Sequence, residues 1–478
     1  MSSDRTVARG VAASVDFAWI AAPVAAAAAF YLWNFSDLFP LIEYRQWIED
    51  SDLHAALHFF YRVAILHGET GFSRTTSFVA VALFASACGH TIACHNVLHI
   101  ALLLGAAVLL GLTLMRQSEH RHPALVAAVL VFFLFSIPVL DAIAWQATIL
   151  DKCAVLLAAL FTWYVARPRL PRVLDQVVLL ALTILTVNAK EAPWVVLPSV
   201  MLLALVQRLE HAPSVARALP AATGWVLARF ALALAYAVMH IGLVMAKLFA
   251  DSAELARVTS GPAIANLMAY AGFLLGAASI CAAVVGAGAL AAWRASRRTR
   301  LMLLWAAVSF AAAFAMPLKT STQEAFYLLV PLFYLAAGLF WIVVGIAEAA
   351  GPRARVSLPV VVLVLVILCV GNFARSAPGA GLAFAQLSRN FQQALAAVRI
   401  EVARDPPQSV TFRADGQPWA FKFFGSTGGS ALAPYLAPPG ATREEIAALR
   451  RAIDAPAAPG LQVRLHADMS LESITRAP

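Results

Sequence analysis

Ionisable side chains set among long apolar stretches are the chemically telling residues of this 478-residue chain. A charge at membrane depth costs a few kcal/mol, so each one invites a functional explanation. Asp37, in YLWNFSDLFPLIEY, follows the first apolar run, and Glu43 stands close behind it. A carboxylate there can act as general base toward a hydroxyl acceptor, or it can be a solvated interfacial acid. Arg74 opens SRTTSFVAVALFASACG. A membrane-proximal guanidinium can grip a phosphate with two parallel hydrogen bonds, or anchor its segment by snorkelling. His54/His58 and His95/His99 are i,i+4 pairs, a spacing that puts two imidazoles on one helix face. The spacing permits zinc or copper, yet no Cys or acidic partner stands at motif distance. Bonding to substrate or to neighbouring helices is the expected role, and no metal ligand is assigned.

Asp141 lies just after Pro138 in SIPVLDAIAWQATILDKC, with Trp145, Asp151 and Lys152 behind it. An acid beside an indole suits a sugar, whose C–H faces pack on aromatic rings; an interfacial aromatic belt produces the same pairing. Lys190 and Glu191 interrupt the apolar run TVNAKEAPWVVLP. This lysine can be a phosphate ligand at a helix break, or be neutralised by its neighbour. Lys319, Glu324 and Tyr327 repeat the theme in PLKTSTQEAFYLLVP.

The elements that must hold these residues are membrane helices. Only 13% of the residues are charged, against about 25% in a soluble domain, so lipid solvates most of the chain. Segments of about 20 apolar residues are expected near 11–33, 93–115, 123–138, 152–166, 174–189, 193–207, 223–248, 263–292, 301–316, 326–347 and 357–373. The predicted class is an all-α polytopic membrane protein of about eleven spans over residues 1–375, with a long first outer loop at 34–92. The first apolar run is long enough to span, and no cleavable signal peptide precedes it. The net charge of +9 comes with arginine clusters between apolar segments. That fits the positive-inside rule rather than nucleic-acid binding, and it predicts a cytoplasmic N-terminus and an outer C-terminus. Within the first outer loop, Asp50–Leu66 is expected as an amphipathic surface helix, and Thr75–Ala87 as an interfacial or re-entrant segment too short to span. The five scattered cysteines suggest no disulfide framework.

Residues 376–478 read as a small outer-facing α+β domain. SVTFRADGQPWAFKFF alternates about Asp415–Gly416, a hairpin signal. Thr442 with Glu445 three residues on is a capping box that starts a helix.

Four segments in order carry a family resemblance. FSRTTSFVAVALFASACGHTIACHNVLHIALLL, through Arg74, Gly89, Asn96 and His99, is similar to a segment of GT-C-type glycosyltransferases that use polyprenol-phosphate sugars. IPVLDAIAWQATILDKC, NAKEAPWVVLP and EAFYLLVPLFYLAAGL resemble three further segments, and the O-mannosyltransferase-like branch is nearest in character. The chain departs from that pattern in having Ser36–Asp37 in place of two adjacent acids, Arg-Thr in place of Arg-Pro, and Phe326–Tyr327 in place of Arg-Tyr. The resemblance implies a GT-C-like fold in a bacterial inner (plasma) membrane. It implies inverting transfer of a sugar from a polyprenyl-phosphate donor to a glycan, lipid or protein acceptor at the outer face. Asp37 would be the base, and Arg74 and Lys190 would bind the donor phosphate. Glu43, His95, Asn96, His99, Asp141, Trp145, Glu191 and Tyr327 would line the sugar and acceptor site. No cofactor is implied beyond the donor; a divalent metal ion is compatible with such transfer, with no motif for one. A transporter or flippase for a polyprenyl-linked or small anionic substrate is the alternative from another class.

Overall fold

The computed structural model describes residues 3–39, 42–49, 51–66, 74–167, 170–190, 192–250, 261–275, 278–319, 324–350, 381–404, 410–414, 432–437, 441–454 and 460–476. It is mostly helical. α1 (Ser3–Phe35) leads into short α2 (Ile42–Glu49) and α3 (Leu53–Phe60), then α4 (Thr75–Cys88) and the long α5 (Ile92–Gln117). At about 1.5 Å per residue, the 26 residues of α5 reach past a hydrocarbon core of about 30 Å. α6 (Pro123–Leu134) and α7 (Ile137–Ala144) follow, bent 48° from one another. Pro138 sits in the first turn of α7, where its missing N–H is harmless, and it bars continuation of α6. The Tyr31 hydroxyl donates to the Leu134 carbonyl freed at that bend.

α8 (Ile149–Ala166), α9 (Arg172–Val187) and α10 (Val196–Glu210) come next, with a break at 188–195 where Lys190 and Pro193 were expected to interrupt the run. α11 (Val215–Arg229) and α12 (Ala231–Ala250) meet at a 70° bend, so the segment expected as one span at 223–248 changes direction at Phe230. The span expected at 263–292 is two helices, α13 (Ala263–Leu275) and α14 (Ala278–Arg294). α15 (Arg297–Ala315) and α16 (Leu329–Ala350) complete the described bundle.

Six helical segments are long and apolar enough to cross a membrane, or up to eight if each bent pair counts as one. The expected count of about eleven is therefore not reproduced among the described residues. α9 has 16 residues with Asp175 in its first turn, and the span expected at 357–373 lies outside the described residues. The core runs through α1, α5, α6, α8, α10, α15 and α16 and is built from Leu, Val, Ala and Phe.

Both segments expected at the membrane interface contain helices. Asp52 caps α3, accepting from the Ala55 N–H at 2.6 Å; Leu57 on α3, and Tyr61, Ile65 and Leu66 in the helical turn that follows it, are exposed. α4 is 14 residues long and packs against α3, α2, α5 and α8.

The C-terminal region has its own core. α17 (Gly381–Arg404), α18 (Ala433–Leu436) and α19 (Arg443–Asp454) pack on a sheet of order β1 (Val410–Ala414), β2 (Leu461–Leu465), β3 (Leu471–Arg476). β1 runs parallel to β2, and β2 antiparallel to β3. The first arm of the expected hairpin is thus β1, paired with a strand 51 positions later (Val410 with Leu461); its second arm lies outside the described residues. The capping box forms as expected: Glu445 N–H donates to Thr442 Oγ1 at 3.2 Å, and Thr442 N–H to Glu445 Oε2 at 2.7 Å. This region is joined to the bundle. Phe39 lies in its core against Phe391 and Tyr435, and the Phe39 N–H donates to Ser388 Oγ.

Candidate functional site

Gly89 links α4 to α5 with φ +52°, a backbone conformation that disfavours L side chains. Cys88 and Cys94 flank it and form a disulfide. This corrects the expectation of no disulfide framework: the two thiols are six residues apart in sequence, and only the turn at Gly89 folds them together.

The same turn orients His95. The Gly89 carbonyl lies 2.8 Å from His95 Nε2, and the Tyr44 hydroxyl 3.1 Å from His95 Nδ1. Burial pushes the Tyr44 phenol up, with Cys153 and Tyr435 adding to the shift, so its O–H remains the donor. Nδ1 then accepts and Nε2 carries the proton. One turn on, His99 stacks edge-on to Tyr44 at 4.7 Å, and its Nδ1 lies 3.1 Å from Lys152 Nζ. Between them, Asn96 donates to the carbonyls of Ser36 and Leu38 at 3.1 and 2.8 Å, and its own carbonyl accepts from Gln146 at 3.0 Å. The three α5 residues named from sequence thus occupy one buried face and tie α5 to the turn after α1, to α2 and to the start of α8. Among the described residues no three His, Cys, Asp or Glu side chains gather as a metal site; the His54/His58 pair is exposed on α3.

Lys152 also donates to the Trp145 carbonyl at 3.2 Å. Asp151, beside it, forms a 2.6 Å ion pair with Lys190, the two side chains 7% and 10% exposed. Lys190 Nζ further sits 4.5 Å from the centre of the Tyr327 ring. Buried charges of this kind require partners, and α8, the 188–195 break and the turn before α16 each contribute one.

The break itself is held by α4. The Thr76 N–H donates to the Asn188 carbonyl at 3.0 Å, and Ser77 Oγ to the Ala189 carbonyl at 2.8 Å. Arg74 immediately precedes α4, just before the residues that make these contacts. Asp141 lies on α7 against the same region: the Phe326 N–H bonds to its carboxylate, Glu324 and Lys152 act on it electrostatically, and Trp145 packs on Phe326 at 5.8 Å.

Asp37 is placed differently. Its carboxylate is half-exposed and pairs with Arg389 of α17 at 3.3 Å, while Gln392 bonds its carbonyl. It reaches the buried cluster only through its neighbours, whose carbonyls Asn96 and Gln146 hold. Asp37 and Lys190 share no bond. Glu43 belongs to α2, and its side chain, like Glu191, lies outside the described residues.

Sequence reading missed Tyr44, Gln146 and Arg389. Tyr44 and Gln146 are unremarkable polar residues next to Glu43 and Trp145. Arg389 meets Asp37 across 352 positions, and no local pattern signals such a contact. Comparison with protein-family models, with curated proteins and with solved structures finds no match to this chain.

Proposed function

We propose that this protein is a GT-C-like membrane glycosyltransferase that moves a sugar from a polyprenyl-phosphate donor to an acceptor at the outer face of a bacterial plasma membrane. The observation that carries the reading is the docking of α4 on Asn188–Ala189, which brings the start of that helix, just after Arg74, to the break that carries Lys190, over a hundred residues later in the chain. Two cations meeting at one helix break would suit a lipid phosphate that gains charge as it departs. In this reading the acceptor oxygen attacks the anomeric carbon from the face opposite the phosphate. The carbon–oxygen bond to phosphate breaks as the new one forms, and Asp37 takes the acceptor proton. Arg389 would orient the Asp37 carboxylate. His95, Asn96, His99, Asp141, Trp145 and Tyr327, with Glu43 and Glu191, would shape the sugar and acceptor pockets. The disulfide at Cys88–Cys94 supports an outer location for this end of the bundle, since such bonds persist in oxidising compartments.

The test is transfer by purified protein from radiolabelled polyprenyl-phosphate sugars. Transfer by wild type and its loss in Asp37→Asn, with an unchanged unfolding temperature, is the expected result; full transfer by Asp37→Asn overturns Asp37 as the base. The bends of 48° and 70° within two spans favour a second reading, a transporter, because broken helices recur at transport sites. Counterflow in liposomes without sugar transfer would support it.

A further inference from the structure

The opposite end of α5 carries a second polar region, about 25 Å from His99 along the helix. Here the C-terminal ends of α5, α8 and α10 surround a cavity of about 790 Å³ that α11 and the start of α15 close. Five arginines line it. Two are already matched. Arg229 grips Asp175 with two hydrogen bonds of 2.8 and 3.0 Å, and Arg298 meets both Glu119 and Glu210. Those two glutamates are the only carboxylates among the lining residues.

Arg116, Arg167 and Arg208 have no carboxylate partner among the described residues. Arg167 lies over the rings of Trp163 and Tyr164 and is close enough to Arg116 for the two to repel, and Arg208 lies over Trp225. Three helix C-termini offset part of this charge, at about half an elementary charge each, and a positive surplus remains. Basic helix ends alone are what any cytoplasmic face presents. The further observation is Gln117. It lines the cavity, is 3% exposed, and both its amide nitrogen and its amide oxygen lack a hydrogen-bond partner among the described residues. A buried amide without partners is costly, and a ligand in the cavity would complete it.

We infer that this cavity binds a phosphate-bearing anion, with Arg116, Arg167 and Arg208 on the phosphate oxygens and Gln117 as a neutral hydrogen-bonding partner. A phosphate offers more acceptor positions than a carboxylate, so it matches several guanidinium groups at once. The cavity lies where membrane-crossing helices end, at headgroup depth, so the headgroup of an anionic phospholipid is the first source to test and free phosphate the second. The inference stands apart from the sugar-transfer reading, which concerns the other end of α5.

Delipidated full-length protein in non-ionic detergent is offered phosphatidylglycerol or phosphatidylcholine, and retained lipid is counted by mass spectrometry of the intact complex. Retention of phosphatidylglycerol at least tenfold above phosphatidylcholine is expected, falling to near parity in the R116Q/R208Q double variant. A rise in unfolding temperature with millimolar inorganic phosphate, absent in the same variant, without lipid selectivity, assigns the site to soluble phosphate. Should the double variant fail to fold, Gln117→Leu, which keeps the volume and removes the amide, is measured in its place and is expected to lower selectivity or the phosphate response severalfold. Equal retention of the two lipids with no phosphate effect overturns the inference, as does wild-type behaviour in the folded variants.

Discussion

Replacing Asp151 by Leu removes the carboxylate that bonds Lys190 among the described residues. At 2.6 Å and an effective dielectric of about 20, the attraction between the two is about 6 kcal/mol before desolvation is counted. Desolvation offsets much of this, and removing one member of a buried pair costs about 3–5 kcal/mol because the other charge is stranded. The Tyr327 ring, 4.5 Å from Lys190 Nζ, returns about 1–2 kcal/mol of that. Asp151→Leu is therefore expected to destabilise the bundle by about 1–4 kcal/mol. Lys190→Met should cost less, because Lys152 stays next to Asp151 and exerts a favourable field on it. The double variant, with two apolar side chains in place of the pair, should recover most of the loss. The assay is unfolding by added dodecyl sulfate in mixed micelles, run as a double-mutant cycle. Additive losses would show that the two groups do not interact in the folded protein. The cycle also separates structure from function: if Lys190 binds the donor phosphate, the double variant is stable and transfers no sugar, whereas restored transfer would reduce Lys190 to a structural cation.

Reporter fusions should place the N-terminus and the Arg294–Arg300 turn on one side of the membrane, and Asp37 with residues after 381 on the other; both on one side would dismantle the single-site arrangement. Phe39→Ala should loosen the C-terminal region at a cost of about 3–5 kcal/mol, read as faster proteolytic release of the segment from 381 onward. The Glu119 carboxyl is held below the usual glutamate range by its hydrogen bond to and the charge of Arg298, with Arg121 adding to this. A depressed pKa contributes stability above the unfolded value that is lost as pH falls through the folded one, so acidification below the ordinary glutamate range should lower the unfolding temperature, and Glu119→Gln should flatten that part of the profile.

Composition and patterning alone determined that this chain is mostly helical, with several helices long and apolar enough to cross a membrane, and ends in a small mixed region, because solvation by lipid demands long apolar runs whatever they pack against. Local chemistry was equally legible where it is local in physics. The Thr442–Glu445 capping box and the interruption at Lys190–Pro193 each depend on a few consecutive residues. The span count was not, since a bend such as the one at Phe230 follows from what the helices meet: Arg229 turns toward Asp175 across 54 positions. The disulfide was missed for a similar reason, because a separation of six positions between cysteines means nothing until Gly89 reverses the chain.

Of the candidate site, the residue types were readable and their partners were not. His95 and His99 share a helix face by spacing alone, so their convergence was visible in advance. Only the tertiary structure decided that Lys190 pairs with Asp151, that the start of α4 docks on Asn188 and Ala189, and that Asp37 looks toward Arg389 of the C-terminal region. A buried charge takes whichever partner the packing brings within reach, and packing is a property of the whole chain.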